Sequence, residues 1–191
     1  GRFMQQAVPA GQGAMAVVLG LEHDVVQRLC VVAGEQCPGR VVALAARNWS
    51  TQSVVSGHAD AVALLEELAR ARGAMGVTSL TVSAPFHCAL MAPAAGQMRL
   101  ALADVRWSAP TVTVWSTVTG APILDPAQIP DLLLRQFTEP VLWQPAVEAM
   151  AAAGTENAFA LGPARSLKGM VRRIVRGLQV HVIDEAAALP G

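Results

Sequence analysis

The stretch VSAPFHCALM, residues 82–91, sets a histidine between a phenylalanine and a cysteine, directly after a β-branched run and a proline. An imidazole has three ordinary uses in such a place: general base, metal ligand, or hydrogen-bonded member of a core. Cys88 beside His87 invites a cysteine–histidine nucleophilic pair, but adjacent side chains on an extended chain point to opposite faces, which argues against it. Metal binding finds no support either. Cys30, Cys37 and Cys88 form neither a CxxC pair nor the close cysteine–histidine spacing of a zinc site, so no metal is expected and the three read as reduced thiols of a cytoplasmic protein. The serines offer no ready nucleophile: no G-x-S-x-G occurs in the sequence, and VSGHAD and ARSLKG, the nearest contexts, lack the glycine-flanked turn from strand to helix that such a serine needs.

The elements that would carry these residues follow from periodicity. GAMAVVLG (13–20) reads as a strand and LEHDVVQRLCVVAG (21–34) as a helix with Val25, Leu29 and Val32 on one face, stopping at Gly34. RVVALAAR (40–47) and SVVSG (53–57) read as strands joined by the polar turn NWSTQ. HADAVALLEELARARG (58–73) is an amphipathic helix with Val62, Leu65 and Leu68 facing together and Gly73 as its stop, and VTSLTV (77–82) is a further strand. This β-α-β-β-α-β string is the ferredoxin-like, or split βαβ, pattern, and it makes residues 8–90 one unit.

The second half has a different order. A helix over 88–105, a buried-strand run TVTVWSTV (111–118), helices at DLLLRQF and QPAVEAMAAAG, a strand NAFAL, a helix from GPARSLKGM and a last strand LQVHVI suggest a parallel sheet covered by helices. So few strands rarely make a stable parallel sheet alone, so further strands are expected from outside the sequence. Residues 1–7 and 91–191 are assigned to this second unit.

The 191 residues are 53% hydrophobic, enough for one substantial core, yet the longest apolar runs fall far short of the roughly 20 residues that cross a bilayer. Basic and acidic residues balance at 14 each, so no overall field draws the chain to nucleic acid or to an anionic membrane. The densest basic stretch, KGMVRRIVRG (168–177), has the spacing of an amphipathic helix with a solvated cationic face. The opening residues, GRFMQQAVPAGQG, lack the basic-then-apolar layout of a secretory signal.

Several strings, in order, resemble the malonyl-CoA:acyl-carrier-protein transacylases and the related acyltransferase domains of polyketide synthases: GRFMQQAVPAGQGAMAVVLGL, SVVSGH, VSAPFHCALM, LLLRQFTEPVLW and LGPARSLKGMVRRI. Together they span essentially the whole chain. The resemblance implies an α/β-hydrolase-like large subdomain, incomplete here, interrupted by a ferredoxin-like small one. It implies a malonyl group passed from coenzyme A to a serine, and from there to the phosphopantetheine thiol of acyl carrier protein. No cofactor is implied beyond malonyl-CoA as substrate; the partners are acyl carrier protein, the coenzyme A thioester and an amino-terminal segment bearing the nucleophile.

Carried over position by position, His87 is the base that takes the serine proton and returns one to the leaving thiol. Gln136 is the position whose backbone carbonyl orients the imidazole, Phe86 the ring that crowds out an α-methyl group, and Asn48 the asparagine of a loop near the site. The family's carboxylate-binding arginine falls immediately before Gly1, so Arg2 inherits no role; with no G-x-S-x-G nucleophile in the sequence, the chain alone is expected to be inactive. The family's N-x-N-S-P-x-Q loop reads ARNWSTQ here, GPARSL has Ala164 for the usual glycine, and Trp115 and Ser116 stand at an asparagine-containing strand end. Two alternatives compete: an acyl hydrolase that clears stalled groups from carrier proteins, which needs no such arginine, and a non-catalytic module that docks carrier protein through its basic helix.

Overall fold

The alternating apolar residues of 13–19 and 52–58 produce β1 (Gly13–Leu19) and β3 (Gln52–His58), which pair antiparallel from Gly13 opposite His58 to Leu19 opposite Gln52. These strands, as described by a computed structural model covering residues 2–184, are the centre of a mixed α/β architecture. β2 (Val42–Trp49) joins the outer side of β3 and β4 (Gly76–Ser79) the outer side of β1, giving the strand order β2-β3-β1-β4 with antiparallel neighbours throughout.

Strand periodicity gives this sheet two apolar faces. One carries Ala16, Val18, Leu44 and Val55, packed under α2 (His23–Gln36) and α3 (Ala59–Ala71) through Val26, Cys30, Ala33, Val62, Leu65 and Ala69. The other carries Met15 and Val54, with Ala45 and Ala46 from a bulged stretch of β2, and meets Phe86 and Val141. The buried stripe of α2 is displaced by one residue from the predicted Val25, Leu29 and Val32: Val26, Cys30 and Ala33 are buried, with Val25 and Leu29 flanking them. Gly34 does not stop this helix. It lies inside it with an ordinary φ, and the helix ends where Cys37 precedes Pro38, a setting that disfavours the α region. Gly73, at φ 92°, does terminate α3 in the predicted manner.

The chain preceding the sheet forms α1 (Arg2–Ala7); after β4 it turns through residues 80–88 and a 3₁₀ turn at Ala89–Met91 into α4 (Ala92–Ala103). The predicted strand over 77–82 is therefore cut short at Ser79. The strand expected over 111–118 shrinks to β5 (Trp115–Ser116), paired only with β6 (Ala121–Pro122). Val112 and Val114 are 73% and 38% exposed; the Ile123 amide donates to the Val114 carbonyl, so the β5–β6 pairing reaches Val114 but not the start of the predicted run. Then come α5 (Ile129–Arg135), α6 (Trp143–Ala152), β7 (Asn157–Leu161), α7 (Arg165–Ile174) and β8 (Gln179–Ile183). β7 and β8 pair in parallel, and Val147, Val171, Leu178 and Val180 make their core.

One strand-like connection ties this second region to the sheet. The Val141 amide donates to the Ala45 carbonyl, and the Arg47 amide donates to the Val141 carbonyl, so the segment after α5 lies along the outer edge of β2. That anchorage fixes the end of α5 relative to β1–β3.

Candidate active site

Residues 84–88 form a tight turn on the sheet face opposite α2 and α3. Pro85 and Cys88 are fully buried, and Phe86 packs both on Met15, Ala45, Ala46 and Val54 and on the cluster of Ala84, Met91 and Ala94 that faces Met4, Ala7 and Phe137. His87, between them, is half-buried and has φ 60°, making it the one non-glycine residue with a positive φ among the described residues. A left-handed backbone on a residue with a side chain costs of order 1–3 kcal/mol, and such residues concentrate at functional sites.

The imidazole is oriented from across the fold. His87 Nδ1 lies 2.8 Å from the main-chain carbonyl oxygen of Gln136, the residue that caps α5. A carbonyl only accepts, so Nδ1 carries the proton and donates it; in the neutral ring, Nε2 is then the basic nitrogen. This is how a histidine is prepared as a general base, with a fixed tautomer and a fixed ring plane, and a backbone carbonyl serves where a carboxylate serves elsewhere. A cavity of about 390 Å³ opens beside the ring, lined by Met4, Phe86, His87, Met91, Gln136 and Phe137. Its walls are apolar apart from the imidazole and Gln136, the usual make-up of a small-molecule cleft with a few polar groups.

Three of the four sequence-predicted residues thus meet here: His87, Phe86 and Gln136. Asn48 does not line this cavity. Its amide donates to Gln52 Oε1 at 2.9 Å across the β2–β3 hairpin, the geometry of a turn residue. Arg2, exposed at the start of α1, is also not among the lining residues. Sequence reasoning missed Met4, Met91 and Phe137, whose apolar types carry no signal apart from their neighbours in MQQ, HCALM and RQF.

The thiols take no part. Cys88 is turned inward, its Sγ donating to the Pro85 carbonyl at 3.2 Å, and burial raises its pKa; burial likewise pushes Cys30 up to about 12. Neither is a thiolate at neutral pH, so neither is an activated nucleophile. Among the described residues no group of histidines, cysteines and carboxylates is placed to hold a metal ion, and no helix is long and apolar enough to cross a membrane.

The model of the acyl transferase domain matches residues 1–190. The chain belongs to the acyl transferase domain family. Among its relatives are the malonyl CoA-acyl carrier protein transacylases of Salmonella typhimurium and Escherichia coli K12, each 40% identical over 189 residues, 99% of this chain and 60% of theirs. The acyl-carrier-protein S-malonyltransferase of Vibrio cholerae superposes with a TM-score of 0.92 at 38% identity, over 98% of this chain and 60% of that one. A malonyl-transacylase solved in complex with a type II PKS acyl-carrier protein superposes with a TM-score of 0.91 at 33% identity, over 98% and 60%. This acyl transferase domain therefore spans about 60% of the length of the relatives it matches.

Proposed function

We propose that this acyl transferase domain carries the general-base half of an S-malonyltransferase, moving malonyl from malonyl-CoA to the phosphopantetheine thiol of acyl carrier protein. The observation that carries the reading is the His87–Gln136 bond at the mouth of an apolar cleft, in a chain 40% identical to malonyl transacylases. In the first half-reaction a serine hydroxyl attacks the thioester carbonyl as His87 Nε2 takes its proton. The new C–O bond forms, the C–S bond breaks, and the proton passes to the departing thiolate of coenzyme A. In the second half-reaction the carrier thiol gives its proton to the same nitrogen and attacks the seryl ester, and the serine oxygen leaves with that proton. Gln136 holds the ring through both, and Phe86 crowds the acyl pocket; the discrimination against one extra methyl is worth about 1–3 kcal/mol.

The serine, in this reading, comes from a part of a longer protein outside the 191 residues, because the sequence itself has no G-x-S-x-G. The four-stranded unit is then the ferredoxin-like small subdomain of residues 8–90, and the β7–β8 region belongs to an α/β-hydrolase-like large one.

The test uses a full-length protein that joins this chain to a segment carrying the nucleophile. His87→Ala is expected to lower malonyl transfer by about 10²-fold or more with the melting temperature nearly unchanged. A destabilised variant that transfers at the wild-type rate would overturn the assignment. A stable malonyl ester on the 191-residue chain alone, found by mass spectrometry, would overturn the placement of the nucleophile.

A further inference from the structure

We propose that Gly13 and Cys88 are positioning residues, which seat the His87 turn on the four-stranded sheet and thereby hold the imidazole in its left-handed, carbonyl-bonded geometry. The register of the sheet makes the seat. Gly13 stands opposite His58 and Met15 opposite Ser56, and residues directly opposite or two apart share a face, so Gly13, Met15, Val54 and Ser56 look the same way. That is the face the turn covers, and each buried member of the turn has its own place on it.

Pro85 lies on Gly13. A Cβ at position 13 would come within 2.9 Å of three atoms of the proline ring, closer than real side chains approach, so the ring reaches the strand only because Gly13 has none. Phe86 fills the space over Met15 and Val54. Cys88 closes the far side. Its thiol donates to the Pro85 carbonyl, bridging the backbone on either side of His87, and it lies against the hydroxyl of Ser56, which is buried at the centre of β3 and makes no well-formed hydrogen bond of its own. The turn is thus pinned before and after the one residue whose φ is unfavourable. Neither Gly13 nor Cys88 lines the cavity, so whatever they contribute passes through the backbone of His87.

The effect on turnover rests on His87 being the base, but the geometric statement does not, and the two are read separately. In the 191-residue chain labelled with ¹⁵N-histidine, the ring-nitrogen shifts of His87, assigned by loss of its signals in His87→Gln, report which nitrogen carries the proton. Wild type is expected as the Nδ1–H form. Gly13→Ala and Cys88→Ala are expected to shift it toward the mixture of an unrestrained imidazole, leaving His23 and His181 unmoved, while Cys88→Ser, which keeps a donor to the Pro85 carbonyl, retains the wild-type pattern. In the full-length protein the Ala variants should lose about 10- to 100-fold in kcat with little change in KM. If Gly13→Ala fails to fold, the Cys88 pair decides. A folded Cys88→Ala with wild-type His87 shifts, or Ala and Ser variants that behave alike, would overturn the proposal. Disturbed shifts with undiminished transfer would instead leave the seat standing and remove His87 from catalysis.

Discussion

The Nδ1 nitrogen of His87 and the carbonyl oxygen of Gln136 are 2.8 Å apart in space and 49 residues apart in sequence. The bond joins a turn seated on the four-stranded sheet to the end of α5, and α5 is held there by the Val141 segment along β2. A single hydrogen bond thus depends on two regions packing correctly. It also separates two roles that one position could hold, since the acceptor belongs to the backbone and the glutamine side chain is exposed.

Replacing that side chain should therefore do little. Gln136→Ala is expected to keep the His87 bond and to change stability by no more than about 0.5 kcal/mol, as exposed substitutions do. Malonyl transfer by the full-length protein should stay near wild type while His87→Ala loses it. A Gln136→Ala loss as large as that of His87→Ala, at unchanged melting temperature, would show that the amide itself touches substrate.

Phe86 is expected to behave in the opposite way. Its ring joins the apolar face under Met15 and Val54 to the cluster around Met91 and Ala94, so truncation opens a void between two packed regions. Phe86→Ala should cost about 3 kcal/mol by urea denaturation, since buried rings removed from cores cost 3–5 kcal/mol and this one is only partly buried. A loss under about 0.5 kcal/mol would mean that the ring serves the cleft alone.

Much of this was legible in the residues. Strands β1 and β3, helix α3 with its Gly73 stop, and the β7–α7–β8 unit follow from alternation, periodicity and turn chemistry, because their neighbours lie close in sequence or their faces are strongly patterned. What failed was what depends on remote partners. TVTVWSTV has the composition of a strand, but a strand exists only where another backbone takes its hydrogen bonds, and no residue of the run encodes whether one is present. Gly34 has the type of a helix stop, whereas Pro38 supplies the actual break. At the site, His87, Phe86 and Gln136 stood out through resemblance, and no spacing rule brings positions 87 and 136 together. The left-handed turn of His87 is still less visible, being set by Gly13, which lies 74 positions earlier in the sequence.

His23 supplies a pH dependence. It is buried at the start of α2, with its Nε2–H donating to Gln144 Oε1 and its Nδ1 paired with the Ser53 hydroxyl. Burial lowers its pKa, Arg47 adds to the effect, and the Gln144 bond, Asp24 and Glu148 oppose it. With the folded value below the unfolded value of about 6.5, the unfolded chain binds the proton first as pH falls. This stability is complete above about pH 6.5 and is lost as pH falls toward the folded value, below which the slope ends. Urea midpoints at about pH 7.5 and about pH 5.5 should differ more in wild type than in His23→Gln. Equal differences would mean that other groups carry the acid sensitivity.

The last prediction concerns the two regions as folding units. Residues 13–79 build a four-stranded sheet whose inner strands β1 and β3 are hydrogen-bonded on both sides and covered by α2 and α3. Residues 157–183 build a two-stranded parallel pair, and its outward residues Phe159 and Leu161 are 54% and 73% exposed. Two strands bury too little apolar surface to be strongly stable by themselves, and their outer backbone groups exchange with solvent through small openings. In hydrogen exchange on the 191-residue chain, amides of β1 and β3 should therefore be the slowest, and those of β7 and β8 about 10²-fold faster or more, a gap of roughly 3 kcal/mol in local opening. If a segment bearing the nucleophile covers the β7–β8 region in the longer protein, adding it should slow β7 and β8 selectively and leave β1 and β3 unchanged. Equal protection of both regions in the chain alone would refute the asymmetry, and uniform slowing on addition would refute the placement of that segment.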